Sequence, residues 1–353
     1  MRTFPIAALF LLATIGPTSA GAPSPLDKLD ARAIDEDDRK LLAIRELVAY
    51  TRPHLRAVAH VAISRDGKLM ASSGWDNAVH LFKLGGKQPK AWAKLDASPS
   101  GIAFSPDGKL LATGSGDTRV LLWDLTGAKP KQKLALAGHK NRPFALAFSP
   151  KGKMFVSGCY DPVLRIWKLD DPDPEAWAVL ANEKTPSLGL SSLAFSHNGQ
   201  YLVAGSHIGK QTLRVWDAGG AFLDERATPL MKARVVACSP TEAIFAFAGD
   251  DAEIHLAKLG EKRIDKIRKM PGHQGKALPP LVKALAFSPD GKTLASCGQD
   301  KRVRLWNVAD GAKSREWTML DEPRALAFAS DGRHMAIGCG DGAIYLLRLG
   351  PAR

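Results

Sequence analysis

Serine, histidine and aspartate recur together twice along this chain of 353 residues, each time with a tryptophan close behind. These three side chains perform acyl transfer when the serine attacks, the histidine takes its proton and the aspartate orients the histidine. We predict no catalytic role here, because the tryptophan and the repetition account for the same residues without chemistry. The two groups are His139, Ser157, Asp161 and Trp167, and His273, Ser296, Asp300 and Trp306.

Other catalytic motifs do not occur in the sequence. Gly291, Lys292 and Thr293 match the end of a phosphate-binding loop, but Ala286 stands where that loop needs its first glycine. Neither H-E-x-x-H nor G-x-S-x-G is found. We therefore predict no enzymatic activity and no cofactor.

Asp250, Asp251, Glu253 and His255 are close enough in sequence to suggest a metal site. Side chains alternate between the two faces of a strand, and on that ground we place these four on opposite faces. One of the aspartates also belongs to the repeat described below. The expectation is therefore that the chain has no metal site.

Four cysteines lie in four different copies of the repeat, each within or beside a predicted strand. No C-x-x-C pair occurs, so neither a zinc site nor a redox site is indicated. We expect four buried free thiols. The residues are Cys159, Cys238, Cys297 and Cys339.

Seven copies of one pattern position these residues. Each copy has a small-apolar-Phe-Ser run, a turn, a second apolar run, an aspartate and a third run that ends at tryptophan or its substitute. Residues 285–306 form the clearest copy. Self-similarity at a period of roughly 40 to 50 residues indicates a repeat architecture, in which each copy is one structural unit.

Each copy predicts four short antiparallel strands. The first run has the composition of a strand buried on both sides. A tight turn follows, with the sequence Ser-Pro-Asp-Gly at 105–108 and 288–291. The second and third runs are the next two strands, and a weaker outer strand completes the unit. Seven such units and no helices predict an all-β fold, a seven-bladed β-propeller of four-stranded antiparallel blades.

The ends of the chain indicate how the ring closes. The last copy finishes its third strand at Leu349, so the C-terminus cannot supply an outer strand for that blade. Residues 46–50 have strand character, and we expect them to fill the gap and remove an open edge. The propeller then spans residues 45–350, and residues 21–44 form a linker or short helix outside it.

Residues 1–20 are predicted to be a signal peptide. Arg2 gives a positive start, residues 6–15 are almost wholly apolar, and Thr18-Ser19-Ala20 offers a small-residue cleavage site. Cleavage would remove only Arg2 among the charged residues and change the net charge from +13 to +12. We expect an exported protein, periplasmic or extracellular, with no membrane span after cleavage. An uncleaved anchor is the alternative.

The pattern resembles the WD40-repeat family over residues 46–349, in an exported bacterial-type form. Trp123-Asp124 and Trp216-Asp217 are the dipeptide that names the family, and Gly138-His139 and Gly272-His273 match its Gly-His. The resemblance implies a hydrogen-bonded set in each blade, formed by histidine, serine or threonine, aspartate and tryptophan. The two groups of the first paragraph would be complete sets, and we expect Asp161→Ala to lower stability. Copies five and seven depart, because Ala257 and Leu347 replace the tryptophan.

The resemblance also implies that the residue before each hairpin aspartate lies on the propeller face that commonly binds partners. Here Trp75, Tyr160 and Gln299 are the candidates for partner binding. Large aromatic side chains at hairpin tips are typical of interface anchors. The alternative is that each ring folds down on its own blade.

A basic segment, residues 262–269, alternates charge with apolar residues and would form an outer strand. A solvated edge guarded by charge is one interpretation, and an anion-binding rim for acidic surfaces or glycans is the other. Nucleic acid is not expected, because no aromatic residues interleave with the charges. The cations are Lys262, Arg263, Lys266, Arg268 and Lys269.

Together these features predict a monomeric, non-catalytic scaffold that presents a docking face to another protein. One alternative is an anion- or glycan-binding module. The other is a propeller enzyme, which would need a polar cluster in the central channel beyond what the repeat explains, and the sequence shows none.

Overall fold

The computed structural model describes ten stretches of the chain. The predicted signal peptide, residues 1–20, lies outside them, and only residues 24–29 of the predicted linker are described. Tyr160, Asp161 and Lys262 also lie outside. The stretches are 24–29, 46–96, 101–159, 163–170, 176–181, 190–206, 212–227, 233–260, 263–273 and 281–350.

The described residues form seven four-stranded antiparallel sheets, here called blades 1 to 7. Blades 1 to 3 contain β2 (Val58–Ile63), β3 (Leu69–Gly74), β4 (Ala78–Lys83) and β5 (Lys90–Asp96); β6 (Ile102–Phe104), β7 (Leu110–Gly114), β8 (Val120–Asp124) and β9 (Lys131–Leu136); and β10 (Ala145–Phe148), β11 (Met154–Gly158), β12 (Val163–Lys168) and β13 (Ala176–Ala181). Blades 4 and 5 contain β14 (Leu190–Phe195), β15 (Tyr201–Ser206), β16 (Thr212–Asp217) and β17 (Phe222–Ala227); and β18 (Val235–Cys238), β19 (Ile244–Ala248), β20 (Ile254–Leu259) and β21 (Ile264–Met270). Blades 6 and 7 contain β22 (Val282–Phe287), β23 (Thr293–Gly298), β24 (Arg302–Asn307) and β25 (Lys313–Thr318); and β26 (Pro323–Phe328), β27 (His334–Cys339) and β28 (Ile344–Arg348), with β1 (Leu47–Thr51).

The innermost strands of consecutive blades contact one another around a closed ring. Strand β2 contacts β6, each later inner strand contacts the next, and β26 of blade 7 contacts β2 again. The predicted all-β fold, a seven-bladed β-propeller, is therefore confirmed. Within the described residues, no helix has the length and apolar character needed to cross a bilayer.

Blade 7 takes its outer strand from the N-terminal end of the propeller. Strand β1 pairs antiparallel with β28, with Leu47 opposite Leu347 and Thr51 opposite Ile344. It lies one residue later than the segment predicted to fill this place. The pairing joins the two ends of the ring and leaves no unpaired edge on β28.

Burial differs between the strands of a blade in a way that the sequence misassigned. We expected the first strand to be buried on both sides, but most residues of β2 and β26 are only partly buried. The second strand is the buried one, and every residue of β27 is buried. The reason is that the first strand borders the centre of the ring, whereas the second has a strand on each edge and a blade on each face.

The turn between the first and second strands also packs one blade on the next. In blade 6, Ser288 Oγ donates to Asp290 and accepts from the backbone N–H of Thr293, which fixes the turn. Gly291 has φ +70°, and a Cβ there would collide with the hydroxyl of Thr241 in blade 5. Glycine is therefore required both by the backbone conformation and by the neighbouring blade.

A second N-terminal segment covers the seam between blades 7 and 1. The short 3-10 helix Pro25–Lys28 places Leu26 and the following Leu29 in the core, where both are buried. Arg348 Nη2 donates to the carbonyls of Asp27 and Leu29, each at 3.1 Å. This part of the predicted linker thus packs on the propeller.

Candidate functional site

Blade 6 contains a complete hydrogen-bonded set. His273 Nε2 lies 2.8 Å from Ser296 Oγ, and His273 Nδ1 lies 2.7 Å from Asp300 Oδ1. The indole N–H of Trp306 donates to Ser296 Oγ at 2.8 Å, and Arg304 Nη1 donates to Asp300 Oδ2 at 2.6 Å. The loop before β22, the strand β23, the hairpin after it and β24 each supply one member of the set.

Burial sets the protonation of the histidine in this set, and hydrogen bonds and charges set that of the aspartate. Burial lowers the pKa of His273, and the hydrogen bond and charge of Asp300 offset that effect only in part. Burial alone would raise the pKa of Asp300, but hydrogen bonds and charges from His273 and Arg304 outweigh it and keep that pKa below its usual range. A neutral histidine and a charged carboxylate therefore share one buried network.

The same arrangement occurs in blade 3 as far as that blade is described. His139 Nε2 lies 2.6 Å from Ser157 Oγ, and the indole N–H of Trp167 donates to the same oxygen at 2.9 Å. Arg165 Nη1 lies 2.9 Å from His139 Nδ1. The fourth predicted member, Asp161, lies outside the described residues.

A third set, which the sequence analysis missed, lies in blade 1. His54 Nδ1 is 2.8 Å from Asp76 Oδ1, and His54 Nε2 is 2.8 Å from Ser72 Oγ. Phe82 takes the place of the tryptophan. The signal was the spacing: His54 precedes Ser72 by 18 residues and Asp76 by 22, as His139 precedes Ser157 and Asp161. Proline before His54, where other copies have glycine, concealed it.

None of these sets has the geometry of a serine nucleophile. Ser72, Ser157, Ser296, His54 and His273 are all buried, so a substrate cannot reach them. In blades 3 and 6 the serine oxygen also accepts a hydrogen bond from an indole, which an attacking nucleophile would have to give up. The sets instead satisfy buried polar groups that would otherwise cost free energy.

The residues predicted to bind a partner lie on what we call the hairpin face, the face of the ring that carries the hairpin between the second and third strands of each blade. Trp75 lies at the tip of the blade 1 hairpin, with 56% of its surface exposed. The guanidinium carbon of Arg324, from blade 7, is 4.7 Å from its ring centroid. The ring is therefore held by the neighbouring blade and does not fold down on its own. Gln299 is also exposed at a tip, and Tyr160 lies outside the described residues.

Two further apolar side chains lie on this face. Leu55 is 92% exposed, and its backbone N–H donates to Asp76 Oδ2 at 3.0 Å. Leu320 is 50% exposed, and Lys301 Nζ donates to its carbonyl at 3.1 Å. We call Leu55, Trp75 and Leu320 the apolar patch. Sequence analysis missed both leucines, although each stands in a loop that enters an inner strand, where a solvated loop has no need of an apolar residue.

The basic segment forms the outer strand β21 of blade 5, and its described cations have protein partners. Lys262 and the side chain of Lys266 lie outside the described part. Two of the described cations pair with carboxylates, so the rim presents less free positive charge than the sequence implies, whereas Arg268 bonds to a neutral carbonyl. The pairs are Arg263 with Asp265 at 3.0 Å, Lys269 with Glu253 at 2.9 Å, and Arg268 with the carbonyl of Ala309 at 2.6 Å.

The four cysteines have no disulfides. Cys159, Cys297 and Cys339 are buried, whereas Cys238 is only partly buried, contrary to expectation. Although part of Cys238 is exposed, its thiol points to the Ala194 carbonyl at 3.8 Å, and burial of the thiol raises its pKa to about 12. The thiol is therefore protonated and unreactive at neutral pH.

The expectation that Asp250, Asp251, Glu253 and His255 lie on opposite faces is wrong for three of them. Asp251 and Glu253 lie in the hairpin turn before β20, in which Ala252 has φ +60°, and this turn places both carboxylates beside His255 on the strand. His255 Nε2 is 3.0 Å from Asp251 Oδ2 and 3.8 Å from Glu253 Oε2. Only Asp250 turns away, and it pairs with Arg234.

Comparison with known families matches these repeats. The model described as "WD domain, G-beta repeat" matches residues 45–83, 94–124, 129–168, 182–217 and 264–307, which is more than half of the chain. The chain therefore belongs to the WD40 family. Strands β26 to β28 of blade 7 and most of blade 5, where the tryptophan is replaced, lie outside the matched residues.

Individual relatives are similar over shorter stretches. Striatin-4 of Mus musculus is 29% identical over 189 residues, which cover 46% of this chain and 24% of that protein. The probable cytosolic iron-sulfur protein assembly protein 1 of Cryptococcus neoformans is 29% identical over 34% of this chain and 24% of its own length. The periodic tryptophan protein 2 homolog of Mus musculus is 32% identical over 28% of this chain and 10% of its own length. The matches span a quarter or less of these relatives. WD40 propellers generally act as non-catalytic protein-binding scaffolds.

Proposed function

We propose that this protein is an exported, monomeric scaffold that binds another polypeptide across its hairpin face. The observation that carries the proposal is the apolar patch. Of the five large hydrophobic side chains that are exposed in the described part of the chain, three lie on this one face, around the seam of blades 6, 7 and 1. Burying these side chains against a partner would remove apolar surface from water, which is favourable.

The surroundings of the patch suit a protein partner. Tryptophan and arginine are both enriched among the residues that dominate interface energies. Arg324 is also fixed, because its Nη2 donates to Glu322 Oε2 at 2.9 Å. Little side-chain entropy is lost when a partner covers such a pair, which favours binding.

The supporting measurement compares variants of the patch with a matched exposed aromatic. We expect Trp75→Ala to weaken binding of a purified partner, first isolated by affinity capture, by about 2 kcal/mol or roughly thirtyfold in Kd. Phe222→Ala is the control, since Phe222 is similarly exposed but lies on the outer strand β17. Equal binding by wild type and Trp75→Ala would contradict the proposal.

Salt separates this proposal from anion binding at the rim. Docking through the apolar patch should survive an increase from 0.1 to 0.5 M salt, because salt screens the attraction between exposed charges and does not weaken apolar contacts in the same way. Binding that disappears with salt and with Arg263→Ala, but not with Trp75→Ala, would favour the rim instead.

Export is tested on the full chain by expressing it and sequencing the N-terminus of the protein recovered outside the cytoplasm. We expect the mature chain to begin at Gly21, after the small residues that precede it. Recovery of an intact N-terminus in the membrane fraction would indicate the uncleaved anchor. Light scattering of the purified protein measures its molar mass and tests whether it is a monomer.

A further inference from the structure

Blade 5 lacks the polar network of blade 6 and contains a different one. Phe247 and Ala257 stand where blade 6 has Ser296 and Trp306, so the serine and the indole of that network are missing. The carboxylate of the hairpin aspartate Asp251 bonds to His255. Phe247 supports that imidazole, with ring centroids 4.8 Å apart and planes 14° from parallel.

The charges of this hairpin are also reversed relative to blade 6. Where blade 6 has Arg302 and Arg304 after its aspartate, blade 5 has Glu253 and His255. On the neighbouring outer strand, the residue opposite Arg304 is Glu316, whereas the residue opposite His255 is Lys269. The positions that hold guanidinium groups in blade 6 therefore hold a carboxylate and an imidazole, both of which bind metals.

The ligand atoms of Asp251, Glu253 and His255 all lie within 4.8 Å of one another. The His255 to Asp251 and His255 to Glu253 separations, 3.0 and 3.8 Å, are close to those between ligands around one metal ion. Bonds of about 2.0 to 2.2 Å in tetrahedral geometry put ligands roughly 3.4 Å apart. Small side-chain shifts would suffice to bring all three atoms onto one ion.

We propose that Asp251, Glu253 and His255 form a binding site for zinc or a similar divalent transition metal ion. An imidazole with two carboxylates favours such ions over Mg²⁺ and Ca²⁺, which prefer oxygen ligands alone. The His255 side chain is almost buried and gives the site a fixed anchor, whereas Glu253 is 42% exposed and leaves an entry path. Three protein ligands leave a fourth position open to water or to a partner's side chain.

Lys269 occupies part of this site in the structure. Its Nζ lies 2.9 Å from Glu253 Oε2, the oxygen that faces His255. A metal ion would have to displace this ammonium group, which is easily done because the Lys269 side chain is 68% exposed. Lysine thus competes with the metal, and removing it should tighten metal binding.

A second group of potential ligands, His54, Asp76 and His80 in blade 1, is less suited to a metal. Both ring nitrogens of His54 already bond within the blade, to Asp76 and to Ser72. The His54 side chain is also fully buried. A metal there would have to break the structural set, so His80 serves as a control position.

Equilibrium dialysis of the tag-free full chain against ZnCl₂ at pH 7.5 tests the site. We expect wild type to bind one Zn²⁺ per chain more than Glu253→Gln or Asp251→Asn does at the same zinc concentration, because either substitution should weaken binding at this site at least tenfold. Lys269→Ala should bind zinc about threefold more tightly than wild type. Glu242→Gln, an exposed glutamate of the same blade, and His80→Gln should bind as wild type does. Mg²⁺ and Ca²⁺ should not compete.

Thermal melts without metal confirm that each variant is folded, which is expected of Glu253→Gln because its side chain is substantially exposed. With Co²⁺, wild type should develop a visible absorption band that Glu253→Gln lacks. Equal zinc binding by wild type and Glu253→Gln, or no effect of Lys269→Ala, would overturn the proposal.

Discussion

His54 Nδ1 lies 2.8 Å from Oδ1 of Asp76, and this contact ties the loop between β1 and β2 to the hairpin of blade 1. His54 stands three residues after the end of β1, the strand that completes blade 7, whereas Asp76 belongs to the hairpin of blade 1. The chain is thus held on both sides of the seam at which the propeller closes. The same histidine bonds to Ser72 within blade 1.

We therefore expect His54→Ala and Asp76→Ala each to lower the free energy of unfolding by about 1 to 3 kcal/mol, because each leaves buried partners without a hydrogen bond. The double variant should lose less than the sum of the two, since both changes break one network. Urea unfolding of the four proteins measures this. Strict additivity would show that the two residues act independently.

The complete set of blade 6 should stabilise its blade more than the eroded copy in blade 7. We expect Asp300→Ala to cost about 1 to 3 kcal/mol, because His273 and Arg304 lose a charged partner. The same cost is expected of Asp161→Ala in blade 3 on sequence grounds.

Asp341→Ala is the matched control for Asp300→Ala, since Asp341 occupies the same place in blade 7, where Ile337 and Leu347 replace the serine and tryptophan. It should cost less than Asp300→Ala in the same urea experiment. Equal losses would show that the hairpin turn, and not the buried set, makes the aspartate important.

Removing the closing strand should destabilise the whole ring. Deletion of residues 40–52 takes away β1 and exposes the edge of β28, which pairs with it from Leu347 to Ile344. We expect a lower melting temperature of the entire propeller, measured by calorimetry, and a tendency to aggregate, measured by light scattering. An unchanged, single cooperative transition would mean that three strands suffice for blade 7.

Acid should destabilise the protein before its carboxylates are protonated. Burial lowers the pKa of His60 to about 4, whereas an unfolded histidine titrates near 6.5. Burial also lowers the pKa of His54 and His273. Between these pH values the unfolded chain binds protons that the folded chain does not, so stability falls as the pH falls.

The loss attributable to His60 should be about 1 to 3 kcal/mol between pH 7 and pH 4.5, at about 1.4 kcal/mol per pKa unit. Asp76 and Asp300 contribute little in this range, because their pKa values lie below the usual 3.8. Urea unfolding at both pH values, with His60→Gln as the comparison, measures the effect. Equal pH dependence in wild type and His60→Gln would assign the loss to other groups.

Much of the architecture could be predicted because each repeat encodes its own turns and strands locally. The Ser-Pro-Asp-Gly turn at 288–291 and the aspartate and tryptophan of the same copy fall where a four-stranded blade needs them. Seven such units can bury their faces only against one another, so the ring follows. The burial of the first strand was misassigned because it depends on the centre of the ring, which no single copy contains.

Prediction of the candidate sites was less complete, and the reasons are physical. Trp75 was found because its position within the repeat is informative, but its contact with Arg324 joins residues from opposite ends of the chain. Leu55 belongs to no recognisable sequence motif, so its exposure on this face could not be predicted. The side shared by Asp251 and His255 was misjudged because Asp251 and Glu253 were treated as strand residues, whereas they lie in the turn before β20, where strand alternation does not apply.

The sequence by itself determined the number of blades, their strand order, the closing segment, the complete hydrogen-bonded set of blade 6 and the described part of the set in blade 3, because these depend on local spacing and on turn chemistry that every copy repeats. Only the tertiary structure decided which side chains meet across the seam of blades 7 and 1, which loops form one exposed face, and which of the acidic residues in blade 5 converge on His255. Those contacts depend on the angle between neighbouring blades and on side-chain direction. Neither the angle nor the side-chain direction can be deduced from the spacing of residues along the chain.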